Sequence, residues 1–229
     1  METRSPAIVS LQDVVVRYVR GMPWARRFTD AVKQVSLEIA PGETLGLVGE
    51  SGSGKSTLGK ICLGIQRPTG GAALFEGEPF FGIGRRRPGS LAAVLQHPEW
   101  SMNPRLSIGR SIAEPLRVLG EAREHCRPKV AEMLARVGLP ATVIDRFPHE
   151  LSGGQRQRAS IARALMTRPR LVVFDEAVSA LDVSVQAQIL NLIRELQGDI
   201  GFAALFISHD IAAVRYVAHR IAVLRDGML

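Results

Sequence analysis

A glycine-rich run that ends in a lysine and a serine is the part of the sequence most suited to chemistry. The run covers residues 49–56, GESGSGKS, and matches G-x-x-x-x-G-K-[ST] between an apolar run and a helical stretch. Glycines let backbone N–H groups turn inward around phosphate oxygens, and the following helix directs its positive dipole end at the anion. Lys55 adds a cation for the β- and γ-phosphates, and the Ser56 hydroxyl is a ligand for Mg²⁺. The run therefore predicts a phosphate-binding loop with an associated Mg²⁺.

Two adjacent carboxylates follow a second apolar run, LVVFD, at positions 171–175. Asp175 ends this run, and its position predicts that it binds Mg²⁺ through a water molecule. Glu176 follows it and could polarise an attacking water. A strand that ends in Asp-Glu is, taken alone, more often a solvated strand end. In a chain that also carries the loop 49–56, the pair indicates phosphoryl chemistry.

A second helix start of the anion-binding type lies about 100 residues after the first, at LSGGQ, residues 151–155. Ser152 predicts a helix N-cap, and Gly153 and Gly154 permit the close approach of an anion. Taken alone, Ser-Gly-Gly would be a capped turn. Together with the loop 49–56, it predicts a second phosphate-binding helix start.

The elements that would position these residues alternate between strand and helix. Apolar runs predict strands at 8–18, 35–39, 44–48, 91–96, 171–175, 202–208 and 220–224. Residues 20–30 are a polar excursion, and 107–145 hold two or three helical patterns with no clear strand. The alternation predicts a mostly parallel, covered sheet, interrupted by a helical insertion.

Composition is that of an ordinary globular chain, with 46% apolar and 22% charged residues. No apolar run is long enough to span a membrane, and METRSPAIVS lacks an apolar core, so we expect no secretory signal. Two cysteines fit a reducing compartment. The net charge of +7 favours anionic partners, but aromatic residues do not interleave with the arginine clusters, so a stacking platform for nucleic acid is not favoured.

Together these features resemble the ATPase subunit of ATP-binding cassette (ABC) transporters. The resemblance rests on residues 49–56, LSGGQ at 151–155, LVVFDE at 171–176, SALD at 179–182 and His209 in FISHD, and it covers essentially the whole chain. Longer runs resemble a narrower group, the peptide/nickel class of bacterial importers, which also carries opines. They are GESGSGKSTLGK, QHPEWSMNPR, FPHELSGGQRQR and SALDVSVQAQILNL.

The resemblance implies ATP and Mg²⁺ as cofactors and assigns roles that spacing alone does not give. Glu176, His209 and Gln96 are the implied catalytic residues, and Ser56, Gln96 and Asp175 are the implied metal ligands. Gln96 lies where the family has its Q-loop, and Tyr18 lies where the family stacks an aromatic ring on adenine. The implied nucleotide-binding set is Tyr18, Gly49, Glu50, Ser51, Gly52, Ser53, Gly54, Lys55, Ser56, Thr57, Ser152, Gly153, Gly154, Gln155 and Asp182.

The resemblance also implies an assembly. Two ATPase subunits, identical or homologous, would close head to tail, so that Ser152 and Gly154 of one face Lys55 and Ser56 of the other, with Asp182 reaching across. Further implied partners are two integral-membrane permease subunits and, indirectly, an extracytoplasmic solute-binding protein, with no nucleic acid. The implied location is peripheral, on the cytoplasmic face of the inner membrane.

The implied fold is an α/β P-loop NTPase of the ABC ATPase type. It has a mostly parallel core sheet, an N-terminal antiparallel β-subdomain and a helical insertion subdomain. We expect one domain over 1–229, with the core and β-subdomain in about 1–96 and 156–229 and the helical subdomain in about 97–155. Residues 97–115 are expected to receive a cytoplasmic helix of the permease through Trp100, Met102, Leu106 and Ile108. Alternatively, these side chains form the core of the insertion.

Other functions stay open at this point. A non-transport ABC ATPase that acts on DNA or the ribosome is the main alternative to an importer of peptides, nickel or metal chelates. A simple P-loop kinase would leave LSGGQ and His209 unexplained, and an exporter is possible because the membrane subunits set the direction. The chain departs from the family at Ala177, where proline usually follows the Asp-Glu pair. No side chain is needed there for hydrolysis.

Overall fold

The computed structural model describes residues 6–20, 22, 27–81 and 88–229 of the chain. The chain forms two compact units, the first of Met1–Arg85 with Ala203–Leu229 and the second of Arg86–Phe202. Within the described residues, no helix combines the length and the apolar character that crossing a membrane requires. The expected division into a core with its β-subdomain and a helical subdomain at 97–155 stays a prediction.

Strands and helices alternate along most of the chain. The strands of the described residues are β1 (Val9–Arg20), β2 (Arg27–Ile39), β3 (Thr44–Val48), β4 (Gly70–Phe75), β5 (Glu78–Pro79), β6 (Leu91–Leu95), β7 (Leu171–Asp175), β8 (Ala203–Ile207) and β9 (Arg220–Val223). The α-helices are α1 (Lys55–Cys62), α2 (Pro98–Ser101), α3 (Ile108–Val118), α4 (Arg123–Arg136), α5 (Gly153–Leu165), α6 (Val183–Ile200) and α7 (Ile211–Val217). Two short 3-10 turns, Ala141–Asp145 and Pro148–Glu150, lie between α4 and α5.

An antiparallel sheet forms the N-terminal part of the first unit, with the strand order β2-β1-β4-β5. Val14 and Val16 of β1 are buried, whereas Arg17 is exposed and forms an ion pair of 2.6 Å with Asp30 across the strand pair. This alternation is that of a sheet with one covered face. The strand β2 begins inside the stretch 20–30, which the sequence indicates as a loop.

A parallel group of strands forms the rest of the first unit, where β3 pairs with both β8 and β9. Every residue of β3 and β8 is buried, because α1 packs on β8 and α7 packs on β3. Leu47 lies opposite Ile207, so the loop after β3 and the turn after β8 leave the sheet side by side. This is the carboxyl edge of parallel strands, where ligands bind in open α/β sheets.

The second unit combines a parallel strand pair with a group of helices. β6 pairs with β7, and Leu95 lies opposite Asp175 at their carboxyl ends. The helix α3 packs against α4 and α5, and its residue Ile112, Leu134 of α4 and Ile161 of α5 are fully buried. The helices of the second unit thus share an apolar core.

Candidate functional site

The loop between β3 and α1 approaches other backbone so closely that two of its glycines cannot carry a side chain. A Cβ added to Gly54 would lie 2.2 Å from the carbonyl O of Ala31, and one added to Gly49 would lie 2.1 Å from the carbonyl O of Leu224. Gly54 also has φ of +107°, a conformation that L side chains rarely adopt. The sequence therefore needs glycine at these positions to form the loop.

Lys55 is buried within the curve of this loop. Its Nζ donates hydrogen bonds of 2.8 Å to the carbonyl oxygens of Gly49 and Glu50. The side chain is 7% exposed. The contacts hold a positive charge at the centre of the loop, where an anion would gain most from it.

Ser53 brings a buried hydroxyl to the same loop. Its Oγ has no hydrogen-bond partner among the described residues, and the residue is 6% exposed. The α1 N-cap is Gly54, which offers no side-chain acceptor to the first turn, where Ser56 and Thr57 lie. A buried donor without an acceptor costs free energy, and a phosphate oxygen is the acceptor that loops of this kind take. The residues present therefore fit a bound phosphate.

His209 lies in the turn that follows β8, next to the end of β3. The turn is fixed by its neighbours, because Asp210 N–H donates to the Ser208 hydroxyl at 3.1 Å and the Asp210 carboxylate accepts from the first turn of α7. The loop 49–56 and His209 therefore lie at one edge of the first unit. Tyr18 lies in β1 opposite Thr29 and is half-buried, and its stacking on adenine stays a prediction.

The second unit brings Gln96 and Glu176 to one edge. Each directly follows the carboxyl end of one of two paired parallel strands, since Leu95 lies opposite Asp175. Within the described residues, no group of three or more His, Cys, Asp or Glu side chains could hold a metal ion. The carboxylate of Asp175 is a ligand of the type that Mg²⁺ takes, because this ion typically binds one or two carboxylates and completes its shell with water and substrate phosphates.

The start of α5 is closed by its own side chains. Gln155 N–H donates to the Ser152 Oγ at 3.3 Å, and Ser152 N–H donates to the Gln155 Oε1 at 3.1 Å, which together form a capping box. Ser152 and Gly153 are exposed. The predicted N-cap at Ser152 is confirmed, and the capping box was not foreseen although Ser-x-x-Gln is its sequence signature.

Asp182 closes the start of α6. Its Oδ1 accepts from Val185 N–H at 3.0 Å and from the Ser184 hydroxyl at 2.8 Å. The hydrogen bond from Val185 N–H, and then that from the Ser184 side chain, hold the pKa of Asp182 below its ordinary value of 3.8. In this chain Asp182 thus caps its own helix, a role that the sequence analysis did not assign.

The starts of α5 and α6 lie against each other. A Cβ on Gly154 would lie 2.7 Å from the Val185 Cγ1, and further along the helices Arg158 Nη2 donates to the Gln188 Oε1 at 3.2 Å. Val185 contacts α5 through its side chain and Asp182 through its N–H. The sequence analysis does not single out Val185, because a contact between two helices distant in sequence leaves no local signal.

Part of the expected docking segment 97–115 is internal. Met102 is 3% exposed and Ile108 is fully buried, so the expectation that these two side chains line a docking surface is wrong. They support the core of the second unit, as the alternative interpretation held. Leu106 is partly exposed, and the side chain of Trp100 lies outside the described residues.

The known proteins similar to this chain are described as ABC transporter or import ATP-binding proteins. The sequence family described as ABC transporter matches residues 32–179. A protein of Brucella abortus, provisionally named a peptide import ATP-binding protein, is 50% identical over 205 residues, which are 87% of this chain and 61% of that protein. The glutathione import ATP-binding protein GsiA of Escherichia coli is 46% identical over 233 residues, covering 97% of this chain and 37% of GsiA.

A solved structure matches almost the full chain. It is a dimeric ATP-binding cassette in a post-hydrolysis state bound to ADP and Pi, with a TM-score of 0.84, 29% identity and 96% coverage of both chains. The sequence relatives are longer, and this chain spans 61% of the Brucella protein.

Proposed function

The chain belongs to the ABC transporter family, and on that premise we propose that it is an ATP-hydrolysing subunit that powers import through a membrane transporter. The observation that carries the proposal is the loop 49–56, in which Lys55 is buried and the Ser53 hydroxyl lacks an acceptor. A triphosphate supplies the acceptors that this loop needs, and the solved cassette bound to ADP and Pi supports a nucleotide as the ligand.

Within this proposal, the loop 49–56 and the first turn of α1 bind the phosphates of ATP. Lys55 would donate to the β- and γ-phosphates, and Ser56, Asp175 and Gln96 would hold Mg²⁺. When bound, the ion neutralises negative charge that develops on the phosphate oxygens. Tyr18 would stack on the adenine ring. The family resemblance supports each assignment, and the placement of Lys55, Asp175 and Gln96 at strand or helix ends agrees with it.

Hydrolysis would depend on two residues that follow strand ends. Glu176 would accept a proton from the attacking water or polarise it, and His209 would contact the γ-phosphate and keep it oriented. The turn after β8 supports the His209 role, because Asp210 and Ser208 fix the backbone beside it. Gln96 would contact the water and report the γ-phosphate to the membrane subunits.

The active species would be a head-to-tail dimer, with an identical or a homologous second subunit. Ser152, Gly153, Gly154, Gln155 and Asp182 would then face the ATP held by the partner subunit. The dimeric state of the solved cassette supports this arrangement. The rate per chain should rise with protein concentration, since only the dimer holds complete sites.

The membrane partners would be two permease subunits, with a solute-binding protein outside the membrane, so the chain would lie peripherally on the cytoplasmic face. The cargo would be a peptide or a related small ligand, because the relatives in Brucella abortus and Escherichia coli are named for import of peptides and of glutathione. Nickel and metal chelates are further cargoes of the same class. No observation favours an ABC ATPase that acts on DNA or the ribosome.

The test is steady-state phosphate release by the purified chain with MgATP, beside a titration of MgATP affinity. Glu176→Gln should keep binding and lower turnover by ~10²–10⁴-fold, since a positioned base is lost. Lys55→Ala should weaken binding about tenfold or more, since it removes charge-assisted hydrogen bonds. Lys60→Ala, on an exposed position of the same helix, is the matched control and should change neither.

Two results would contradict the proposal. Turnover by the Glu176→Gln variant at the wild-type rate would remove Glu176 from catalysis. Unchanged MgATP affinity in the Lys55→Ala variant would mean that the loop 49–56 is not the phosphate site.

A further inference from the structure

Glu176 has a backbone conformation that is uncommon for its residue type. Its φ is +53°, in the left-handed region that favours glycine. Residues other than glycine adopt this conformation at a cost in free energy and keep it only where surrounding contacts hold it in place. The conformation occurs at the first residue after β7.

Ser179 supplies two of those contacts. Its Oγ donates to the carbonyl O of Glu176 at 2.9 Å, and its N–H donates to the same oxygen at 3.2 Å. The residues between them anchor the turn, since Ala177 is 2% exposed and Val178 is 1% exposed. Ser179 thus fixes the peptide group between Glu176 and Ala177, and the buried side chains of Ala177 and Val178 hold the turn against the core.

The turn decides where the carboxylate of Glu176 is directed. In an extended chain, the side chain of Glu176 would lie on the opposite face of the sheet from that of Asp175. The left-handed conformation ends this alternation, so the direction of the side chain depends on the turn. A proline at 177 would favour extended values of φ at Glu176, whereas Ala177 imposes no such preference, and the hydrogen bonds from Ser179 are contacts that favour the observed turn.

We propose that Ser179 is a positioning residue for Glu176, whose hydroxyl holds Glu176 in the left-handed conformation and thereby keeps its carboxylate oriented for the attacking water. The proposal rests on the proposed ATPase function and on the role of Glu176 in it. In this proposal Ser179 acts through the backbone of Glu176, to which its hydroxyl and N–H donate.

The test compares Ser179→Ala with Ser179→Thr in steady-state ATP hydrolysis. The alanine variant keeps the N–H bond and loses the hydroxyl bond, so kcat should fall about tenfold, the usual scale for one hydrogen bond. KM for MgATP should not change, because the phosphates are held by the loop 49–56. Threonine keeps the hydroxyl and should restore most of kcat. A control is Thr167→Val, which removes another hydroxyl donor to a backbone carbonyl, that of Gly89, and should leave kcat unchanged.

The same alanine substitution in the Glu176→Gln background separates the two proposals. If Ser179 acts through Glu176, Ser179→Ala should cause no further loss once Glu176 is replaced. Wild-type kcat in the Ser179→Ala variant, while Glu176→Gln is inactive, would overturn the positioning role and leave the ATPase proposal intact. A tenfold further loss in the double variant would also overturn it. Normal turnover by Glu176→Gln would instead overturn the ATPase proposal on which it rests.

Discussion

The two glycine-rich helix starts of this chain are built in opposite ways. At α1, glycine is required by the backbone, because Gly54 approaches the carbonyl O of Ala31, and no side chain caps the helix. At α5, Ser152 and Gln155 cap the helix reciprocally, and the close neighbour of Gly154 is a side chain, Val185. Similar residue types in sequence thus form two different local structures.

The helix starts differ in whether their polar groups need a hydrogen-bond partner from a ligand. The start of α1 holds a buried hydroxyl without an acceptor, that of Ser53, together with the buried charge of Lys55. Such groups are stabilised when an anion binds. The starts of α5 and α6 each have a side-chain acceptor of their own, Ser152 and Asp182. The start of α1 therefore has buried polar groups that an anion would satisfy, whereas Ser152 and Gln155 at the start of α5 satisfy each other.

The largest effect is expected from replacing Gly54, which tests whether the α1 start depends on the backbone. Gly54→Ala would place a Cβ against a backbone carbonyl that cannot turn away, in a left-handed conformation. The two strains together should cost ~3–5 kcal/mol in free energy of unfolding, measured by urea denaturation. MgATP affinity should fall in the same variant.

Gly52→Ala is the matched control for this variant. Gly52 also has a positive φ, +81°, but a Cβ there would meet no atom within 4 Å. The substitution should cost only ~1 kcal/mol, from the backbone conformation alone. Equal losses in the two variants would show that the approach to Ala31 does not matter, and the contrast between the helix starts would lose its main support.

A smaller loss of stability, which a second substitution should restore, is expected at Gly154. Gly154→Ala would bring a Cβ to 2.7 Å from the Val185 Cγ1 and should cost ~1–3 kcal/mol in free energy of unfolding. Because the obstacle is a side chain, Val185→Ala should relieve it, and the double variant should recover most of the loss. No second substitution can do this for Gly54, whose obstacle is a carbonyl group.

A double-mutant cycle measures this coupling, with ATP hydrolysis as a second readout. Additive losses in unfolding free energy would mean that Gly154 and Val185 do not pack as described. Recovery of stability without recovery of hydrolysis would show that Gly154 is needed for a bound anion as well as for the contact with α6.

The fold could be predicted best where strands are buried on both faces. Strands were predicted at 44–48 and 171–175, and β3 and β7 have these bounds, because parallel strands covered on both sides give continuous apolar runs. Similarity to solved ABC cassettes confirms the predicted α/β fold class. The missed parts are the two-residue β5, β4, which begins with two glycines, and the start of β2, whose pairing depends on contacts distant in sequence.

The candidate site could be predicted from sequence in its residue types but not in its contacts. The motifs place Lys55, Glu176 and Ser152 at strand and helix ends, as the structure has them, although their roles stay predictions. The carbonyl groups of Ala31 and Leu224 that require glycine in the loop have no sequence signal, since any residue has a carbonyl. The hydrogen bonds of Ser179 likewise follow from a backbone conformation that a motif does not specify.

The smallest effect concerns pH and separates a charged cap from a neutral one. Hydrogen bonds from Val185 N–H and Ser184 hold the pKa of Asp182 below its ordinary value of 3.8, so its stabilisation is complete above that value and is lost as pH falls through the lower folded value. Asparagine caps comparably but does not ionise. Wild type should therefore lose more stability than Asp182→Asn in urea denaturation between about pH 6 and about pH 3. Ser152→Ala, which removes the neutral cap of α5, should instead cost ~1 kcal/mol at every pH. If the free energy of unfolding of Asp182→Asn depended on pH as that of wild type does, the Asp182 carboxylate would not be the charged cap of α6. The starts of α5 and α6 would then be alike in their electrostatics.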